Sequence, residues 1–149
     1  MKKFNFRYES VLKMRLDHEE RIKNELAKLI THRQALLDAL EVLSENAKAY
    51  EAHIQLILAN GDSKNERLQF VSGKKYYSDH KKEIKQKIIL VDKEIKKTQE
   101  KLVEAMKERK VMDKLKEKAF QEFVEAINDA DAKLIEEVVN YSNNKKNGE

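Results

Sequence analysis

The side chains best suited to metal binding are scattered along this chain rather than grouped. The chain has no cysteine and four histidines, which are His18, His32, His53 and His80. No two of these histidines are three to five residues apart, the spacing that would place two metal ligands on one face of a helix. We therefore predict that each histidine is a surface residue of a helix, and that the chain has no metal site and no cofactor.

The residues needed for nucleotide binding or acid–base catalysis are missing as well. With only 3 glycines, Gly61, Gly73 and Gly148, the chain contains no G-x-x-x-x-G-K-[ST] loop. Adjacent acids such as Glu136 and Glu137 lie in polar sequence, where no pocket is expected to shift the pKa of a carboxyl group toward neutrality. We therefore expect a protein that is not an enzyme.

The composition instead indicates long helices. The chain has 149 residues, no proline, 39% charged and 40% hydrophobic residues, and a mean hydropathy of −0.80. Such a sequence is too polar for a thick globular core, yet it is too rich in aliphatic residues to be disordered. Helices that bury only one stripe each reconcile these values.

The charges are interleaved along the chain. The 31 Lys and Arg and 27 Asp and Glu alternate in sign over most of the sequence, as expected for a solvated helix surface rather than a nucleic-acid-binding face. No apolar run approaches the roughly 18 residues that span a bilayer. We expect a cytoplasmic protein that binds no nucleic acid and does not insert into the membrane.

Two apolar seams follow the heptad spacing of a coiled coil, in which steps of four and three residues alternate. In the first seam ten of 11 positions are apolar, and in the second seven of nine. The first seam contains Ile22, Leu26, Leu29, Arg33, Leu36, Leu40, Leu43, Ala47, Tyr50, Ile54 and Ile57. The second contains Ile84, Ile88, Val91, Ile95, Thr98, Leu102, Ala105, Arg109 and Met112. Two seams of similar length predict two helices that face each other.

A turn between the seams completes the predicted fold. Gly61 is suited to the left-handed conformation that ends a helix, and Ser63 with Glu66 has capping-box spacing for the start of the next one. We predict an all-α fold, a long two-stranded antiparallel coiled-coil hairpin, as a single domain over residues 1–149. Its parts are helix 1 at about 6–59, a turn at about 60–65, helix 2 at about 66–142 and a disordered tail at 143–149. Because Gly73 weakens a helix, a looser turn that extends to about residue 73 is the alternative.

The pairing register has two solutions. A tight turn places Leu29 opposite Ile95 and also brings Arg15 opposite Arg109, which is unfavourable unless an acid such as Glu19 lies alongside. A looser turn moves the pairing by one heptad and places Leu29 opposite Leu102. The polar seam residues, including Arg109, are predicted to select the register.

The tight register leaves the last part of helix 2 without a partner in the same chain. This stretch, about 121–141, carries Phe123, Ile127, Ala130, Leu134 and Val138 at helical spacing. An uncovered amphipathic helix is a candidate for binding another protein. The alternative is that it folds back on the hairpin or frays.

Both ends of the chain resemble one protein family. The stretch from Phe6 to Arg15, with the sequence FRYESVLKMR, is similar to the opening of FliJ proteins. The stretch from Met112 to Phe123, MDKLKEKAFQEF, resembles the second signature of that family. The length, the Asn60-Gly61 turn and the absence of proline and cysteine also fit, so the resemblance covers essentially the whole chain.

The resemblance implies a non-enzymatic component of the flagellar type III protein export apparatus, associated peripherally with the membrane. It would be a stalk or adaptor, monomeric when free, that binds the FliI-like export ATPase, the FlhA-like export gate and export chaperones. Seven positions match the ATPase-binding end of the family, namely Phe6, Tyr8, Val11, Leu12, Met112, Leu115 and Phe123. Leu43, Tyr50 and Tyr77 match positions directed toward the gate. The alternative function is a structural coiled coil that self-associates through the same seams.

Overall fold

The computed structural model describes residues 2–61 and 64–148 and contains two long α-helices. Helix α1 is Glu9–Asn60, with 52 residues, and α2 is Lys64–Asn147, with 84 residues. The helices pack against each other as a helical hairpin, as predicted. Asp62 and Ser63 lie outside the described residues, and with them the middle of the predicted turn and the predicted cap at Ser63.

Helix α1 begins at Glu9, later than the predicted start near residue 6. The backbone N–H of Glu9 donates to the carbonyl of Phe6 at 3.2 Å, and that of Leu12 donates to Tyr8 at 3.0 Å. Residues before Glu9 therefore leave the helical path, which lets the Phe4 ring pack against α2. The carboxylate of Glu9 in the first turn favours this start because it complements the helix dipole.

The expectations for Gly61 and Gly73 were wrong. Gly61 does not adopt a positive φ, since its N–H continues the helical pattern by donating to Ile57 at 3.1 Å. Gly73 lies inside α2, so the looser turn is not formed.

The predicted disordered tail is helical up to Asn147. Lys145 and Lys146 lie in the last turn, where positive charge interacts favourably with the helix dipole.

The contacts of the chain form two compact units. Unit 1 comprises Met1–Glu20 and Glu104–Glu149, and unit 2 comprises Arg21–Val103. A two-helix hairpin divides in this way because each residue contacts only neighbours at its own level along the helices, with no central core.

Both predicted seams are the buried stripes of the helices. All 20 positions of the two seams are buried or half-buried. Among the seam positions, Ile22 and Ile54 are the least exposed in α1, and Thr98 and Ala105 are the least exposed in α2. The hydroxyl of Thr98 donates to the carbonyl of Glu94 at 2.8 Å, which satisfies this polar group inside the seam.

Unit 2 has the tight register. Arg33 Nε donates to Asp92 Oδ1 at 2.6 Å, and Tyr50 lies near Gln69, so the helices are antiparallel. Leu29, one turn before Arg33, is then level with Ile95 rather than with Leu102.

Unit 1 is antiparallel as well. Arg15 Nη1 lies 2.8 Å from Glu108 Oε2, and Lys116 Nζ lies 2.9 Å from Glu9 Oε2. The predicted repulsion between Arg15 and Arg109 is avoided because each arginine pairs with a separate acid.

The C-terminal part of α2 has no cover within the described chain. Every described residue from Val124 to Gly148 is exposed. The predicted overhang therefore exists as an ordered helix, and it does not fold back.

Candidate functional site

An apolar surface of unit 1 is built around three phenylalanines. The Phe4 ring stands edge-on to Phe120 with centroids 5.2 Å apart, and it lies 5.5 Å from Phe123. Tyr8 and Leu115 line the same groove and are each 44% exposed. We call Phe4, Tyr8, Leu115, Phe120 and Phe123 the terminal aromatic surface.

The seven residues matched to the ATPase-binding end all lie in unit 1, but they differ in exposure. Phe6 and Leu12 are buried, at 7% and 4% exposure. Val11, Met112 and Phe123 are half-buried. Of the seven, only Tyr8 and Leu115 are exposed. Buried members such as Leu12 cannot contact a partner directly and can only pack beneath the exposed side chains.

A charged network lies in the same unit. Glu19 is 3% exposed and accepts a hydrogen bond from Arg109. Arg109 also donates to Asp113 at 2.6 Å. The hydrogen bond to Glu19, reinforced by that to Asp113, raises the pKa of the Arg109 guanidinium, so the cation persists. A buried carboxylate needs such a partner, since removal from water penalises its charged form.

Unit 2 contains a second aromatic group, the tyrosine cluster of Tyr50, Tyr76 and Tyr77. Tyr77 lies 5.4 Å from Tyr50 and 5.3 Å from Tyr76, measured between ring centroids. The Tyr50 hydroxyl donates to the carbonyl of Gln69 at 2.7 Å. This hydrogen bond ties α1 to the backbone of α2.

Gly73 makes that position of Tyr50 possible. A β-carbon at residue 73 would lie only 2.0 Å from the Tyr50 hydroxyl oxygen and 2.2 Å from its ring carbon Cζ. Gly73 is therefore a notch in α2 that accepts the Tyr50 ring, which accounts for a glycine within the helix.

Leu43, the third residue matched to the gate, lines a different groove from Tyr50 and Tyr77. Its neighbours there include Tyr76, His80 and Ile84. Tyr76 and His80 stack edge-on with centroids 4.2 Å apart. The gate-matched residues are thus divided between two adjoining grooves of unit 2.

Sequence reasoning missed Phe4, Phe120 and His80 as site residues. The pattern Phe4-Asn5-Phe6 was a usable signal for Phe4, because alternating aromatics before a helix often mark an extended packing segment. Phe120 lies outside the heptad positions, and nothing in its sequence context indicated that the Phe4 ring would pack against it.

The described residues contain neither a candidate metal site nor a membrane-spanning helix. Among them no group of three or more His, Asp or Glu side chains is placed to hold a metal ion. Within the same part of the chain, no helix is long and apolar enough to cross a membrane.

Comparison with known proteins gives one match. The model of the family described as "Flagellar FliJ protein" matches residues 4–148, nearly the whole chain. No curated protein and no solved structure matches. The two-helix fold and the match over almost the full length agree, and the chain therefore belongs to the FliJ family of non-catalytic flagellar export proteins.

Proposed function

We propose that this protein is a stalk or adaptor of the flagellar type III export apparatus, and that it binds the export ATPase through the terminal aromatic surface. The observation that carries the proposal is the exposure of aromatic and aliphatic side chains in one groove of unit 1. Tyr8 and Leu115 line this groove and are each 44% exposed. Phe120, which contacts the Phe4 ring beside the groove, is 49% exposed. Aromatic residues are enriched where proteins bind one another, because they bring a large contact area at a small entropy cost.

Basic residues around this groove add electrostatic selectivity. Lys3, Arg7 and Lys118 line it together with the aromatic side chains and outnumber the acid Glu122. An acidic and apolar surface on the ATPase would complement this arrangement, and opposite charges speed association.

The buried residues beneath the groove would hold it in shape. Phe6 and Leu12 are enclosed, and the Glu19–Arg109 pair lies nearby in the same unit. Substitution of Leu12 should therefore weaken ATPase binding indirectly, through loss of local packing.

We further propose that unit 2 binds the export gate through Tyr77, Leu43 and the exposed ring of Tyr76. Tyr76 is 56% exposed and lies between Tyr77 and His80. Tyr50 would contribute mainly by positioning Tyr77, because its own hydroxyl is engaged with Gln69. The same proposal includes that the protein binds export chaperones and that it is located in the cytoplasm, beside the membrane-bound apparatus.

The ATPase interaction is tested by measuring affinity for the purified cognate export ATPase. Leu115→Gln should weaken binding by about tenfold or more, since it removes apolar contact area. Leu90→Gln is the matched control, because Leu90 is 64% exposed and lies in unit 2. Equal affinities of the two variants and the unchanged protein would contradict the proposed surface.

A self-associating coiled coil is the competing function. Both seams are occupied within one chain, which favours a monomer. Sedimentation equilibrium should give a single mass of one chain at all concentrations, whereas concentration-dependent dimers would favour the competitor.

A further inference from the structure

The C-terminal segment of α2, residues 124–147, presents an apolar stripe that no described part of the chain covers. Its heptad positions are apolar except for Asp131. They are Val124, Ile127, Asp131, Leu134, Val138 and Tyr141. Leu134 is 61% exposed, Val138 62% and Tyr141 70%. The stripe has the form of a coiled-coil seam that lacks its second helix.

This stripe is framed by negative charge. Residues 121–142 contain six carboxylates, on Glu122, Glu125, Asp129, Asp131, Glu136 and Glu137, against the single cation of Lys133. The whole chain, by contrast, has a net charge of +4. Lys145 and Lys146 follow only in the last helical turn.

The charge decides between possible occupants of the stripe. A second copy of the same segment would bring like charges together along the seam, which is destabilising. An anionic membrane surface would be repelled for the same reason. A helix with an apolar stripe and flanking lysines or arginines would satisfy both the seam and the carboxylates.

We propose that the C-terminal segment binds a basic amphipathic α-helix of a partner protein, which completes the coiled coil. Leu134 and Val138 lie at the centre of the contact, and Glu137 flanks it. The interaction goes beyond the proposed ATPase and gate contacts, because it uses residues outside the terminal aromatic surface and the tyrosine cluster.

The experiment uses the full chain and a synthetic helical peptide that carries leucine at heptad a and d positions and lysine elsewhere. Binding is measured by isothermal titration calorimetry. The control peptide keeps the leucines and replaces every lysine with glutamate. The lysine peptide should bind with an affinity that falls as salt is added, and the glutamate peptide should not bind.

Matched variants locate the site. Val138→Gln should weaken binding of the lysine peptide by about tenfold. Val139→Gln, one residue and roughly 100° around the helix from the stripe, should change the affinity by less than about twofold. The double variant Glu136→Gln/Glu137→Gln should reduce the salt dependence. Circular dichroism should show unchanged helicity in all of them, because these side chains are exposed.

Several results would overturn the proposal. Equal binding of the two peptides would show that charge does not select the partner. Equal effects of Val138→Gln and Val139→Gln would show that the stripe is not the binding face. Dimerisation of the full chain that Val138→Gln abolishes would identify a second copy as the occupant. Binding to phosphatidylcholine vesicles that Val138→Gln abolishes, with no peptide binding, would identify a lipid surface instead. Each of these results leaves the ATPase proposal standing, since that proposal depends on Leu115 and its neighbours.

Discussion

At the residue scale, the packing of Tyr50 against Gly73 shows how a contact between helices can outweigh local helix propensity. Glycine inside a helix costs about 1 kcal/mol relative to alanine. Here that cost is offset by the access that Gly73 gives to the Tyr50 ring, whose hydroxyl reaches Gln69 at 2.7 Å. The two residues should therefore be strongly coupled.

The effect of Gly73→Ala on the stability of the fold should change sign with the residue at position 50. In the unchanged protein, alanine forces the Tyr50 ring out of its place and should destabilise the fold by about 1–3 kcal/mol. In a Tyr50→Ala background the clash is gone, and the same change should stabilise the fold by about 1 kcal/mol through helix propensity. Urea unfolding of the four proteins in this double-mutant cycle gives the coupling. Additive effects would show that Tyr50 does not occupy the notch.

The two arginine pairs of unit 1 should differ in their importance for stability. Arg109 pairs with Glu19, which is 3% exposed, whereas the side chains of Arg15 and Glu108 are 44% and 38% exposed. Arg109→Met should lower the urea midpoint clearly, because it removes the hydrogen bond that Arg109 donates to the buried carboxylate of Glu19. Arg15→Met should leave the midpoint nearly unchanged, as expected for a surface ion pair. Equal midpoints for the two variants would contradict this ranking.

At the element scale, the heptad pattern predicted the helices and their faces well because it reads local periodicity. All 20 seam positions are buried or half-buried. The same pattern left the pairing register open, since a shift of one helix along the other by one heptad still places apolar positions opposite apolar positions. In the structure, long-range contacts such as that between Arg33 and Asp92 join residues that are level with each other in the tight register.

Cysteine cross-linking tests this register directly. The chain has no cysteine of its own, so introduced pairs report without interference. Leu29→Cys with Ile95→Cys should form a disulfide under mild oxidation, because the two positions face each other. Leu29→Cys with Leu102→Cys should not, since a slide of one heptad, roughly 10 Å at 1.5 Å per residue, separates them. Preferential linkage of the second pair would establish the looser register.

Element ends were harder to predict than element faces. The start of α1 shifted to Glu9 because Phe4 and Phe6 gain packing outside the helix, a contact between residues distant in sequence. The last residues were predicted to be disordered from their polar composition, yet α2 continues through them to Asn147. The polar composition of these residues does not by itself reveal the favourable interaction of Lys145 and Lys146 with the helix dipole.

At the scale of the whole molecule, apolar surface is distributed among three separate regions of a highly charged chain. The terminal aromatic surface belongs to unit 1, and the tyrosine cluster belongs to unit 2. The exposed stripe of the C-terminal segment is the third region. Membership of the FliJ family assigns these surfaces to a flagellar export protein.

The candidate site was predictable only in part, because the exposure of its residues depends on contacts between residues distant in sequence. The resemblance at the two chain ends identified Tyr8, Leu115 and Phe123, and the structure brings them to one groove. It did not distinguish exposed residues from buried ones such as Leu12, because exposure depends on the partner helix. Phe4 and Phe120 were missed because their contact joins residues more than a hundred positions apart.

The rate of ATP hydrolysis by the cognate export ATPase, measured as this protein is added, tests the central proposal most directly. The unchanged protein and the Leu90→Gln control should raise the rate to the same saturating level. Leu115→Gln should raise it only at about tenfold or higher concentration, in proportion to its weaker binding. An unchanged hydrolysis rate in spite of demonstrated binding, or equal stimulation by Leu115→Gln, would contradict the proposal that the terminal aromatic surface acts on the ATPase.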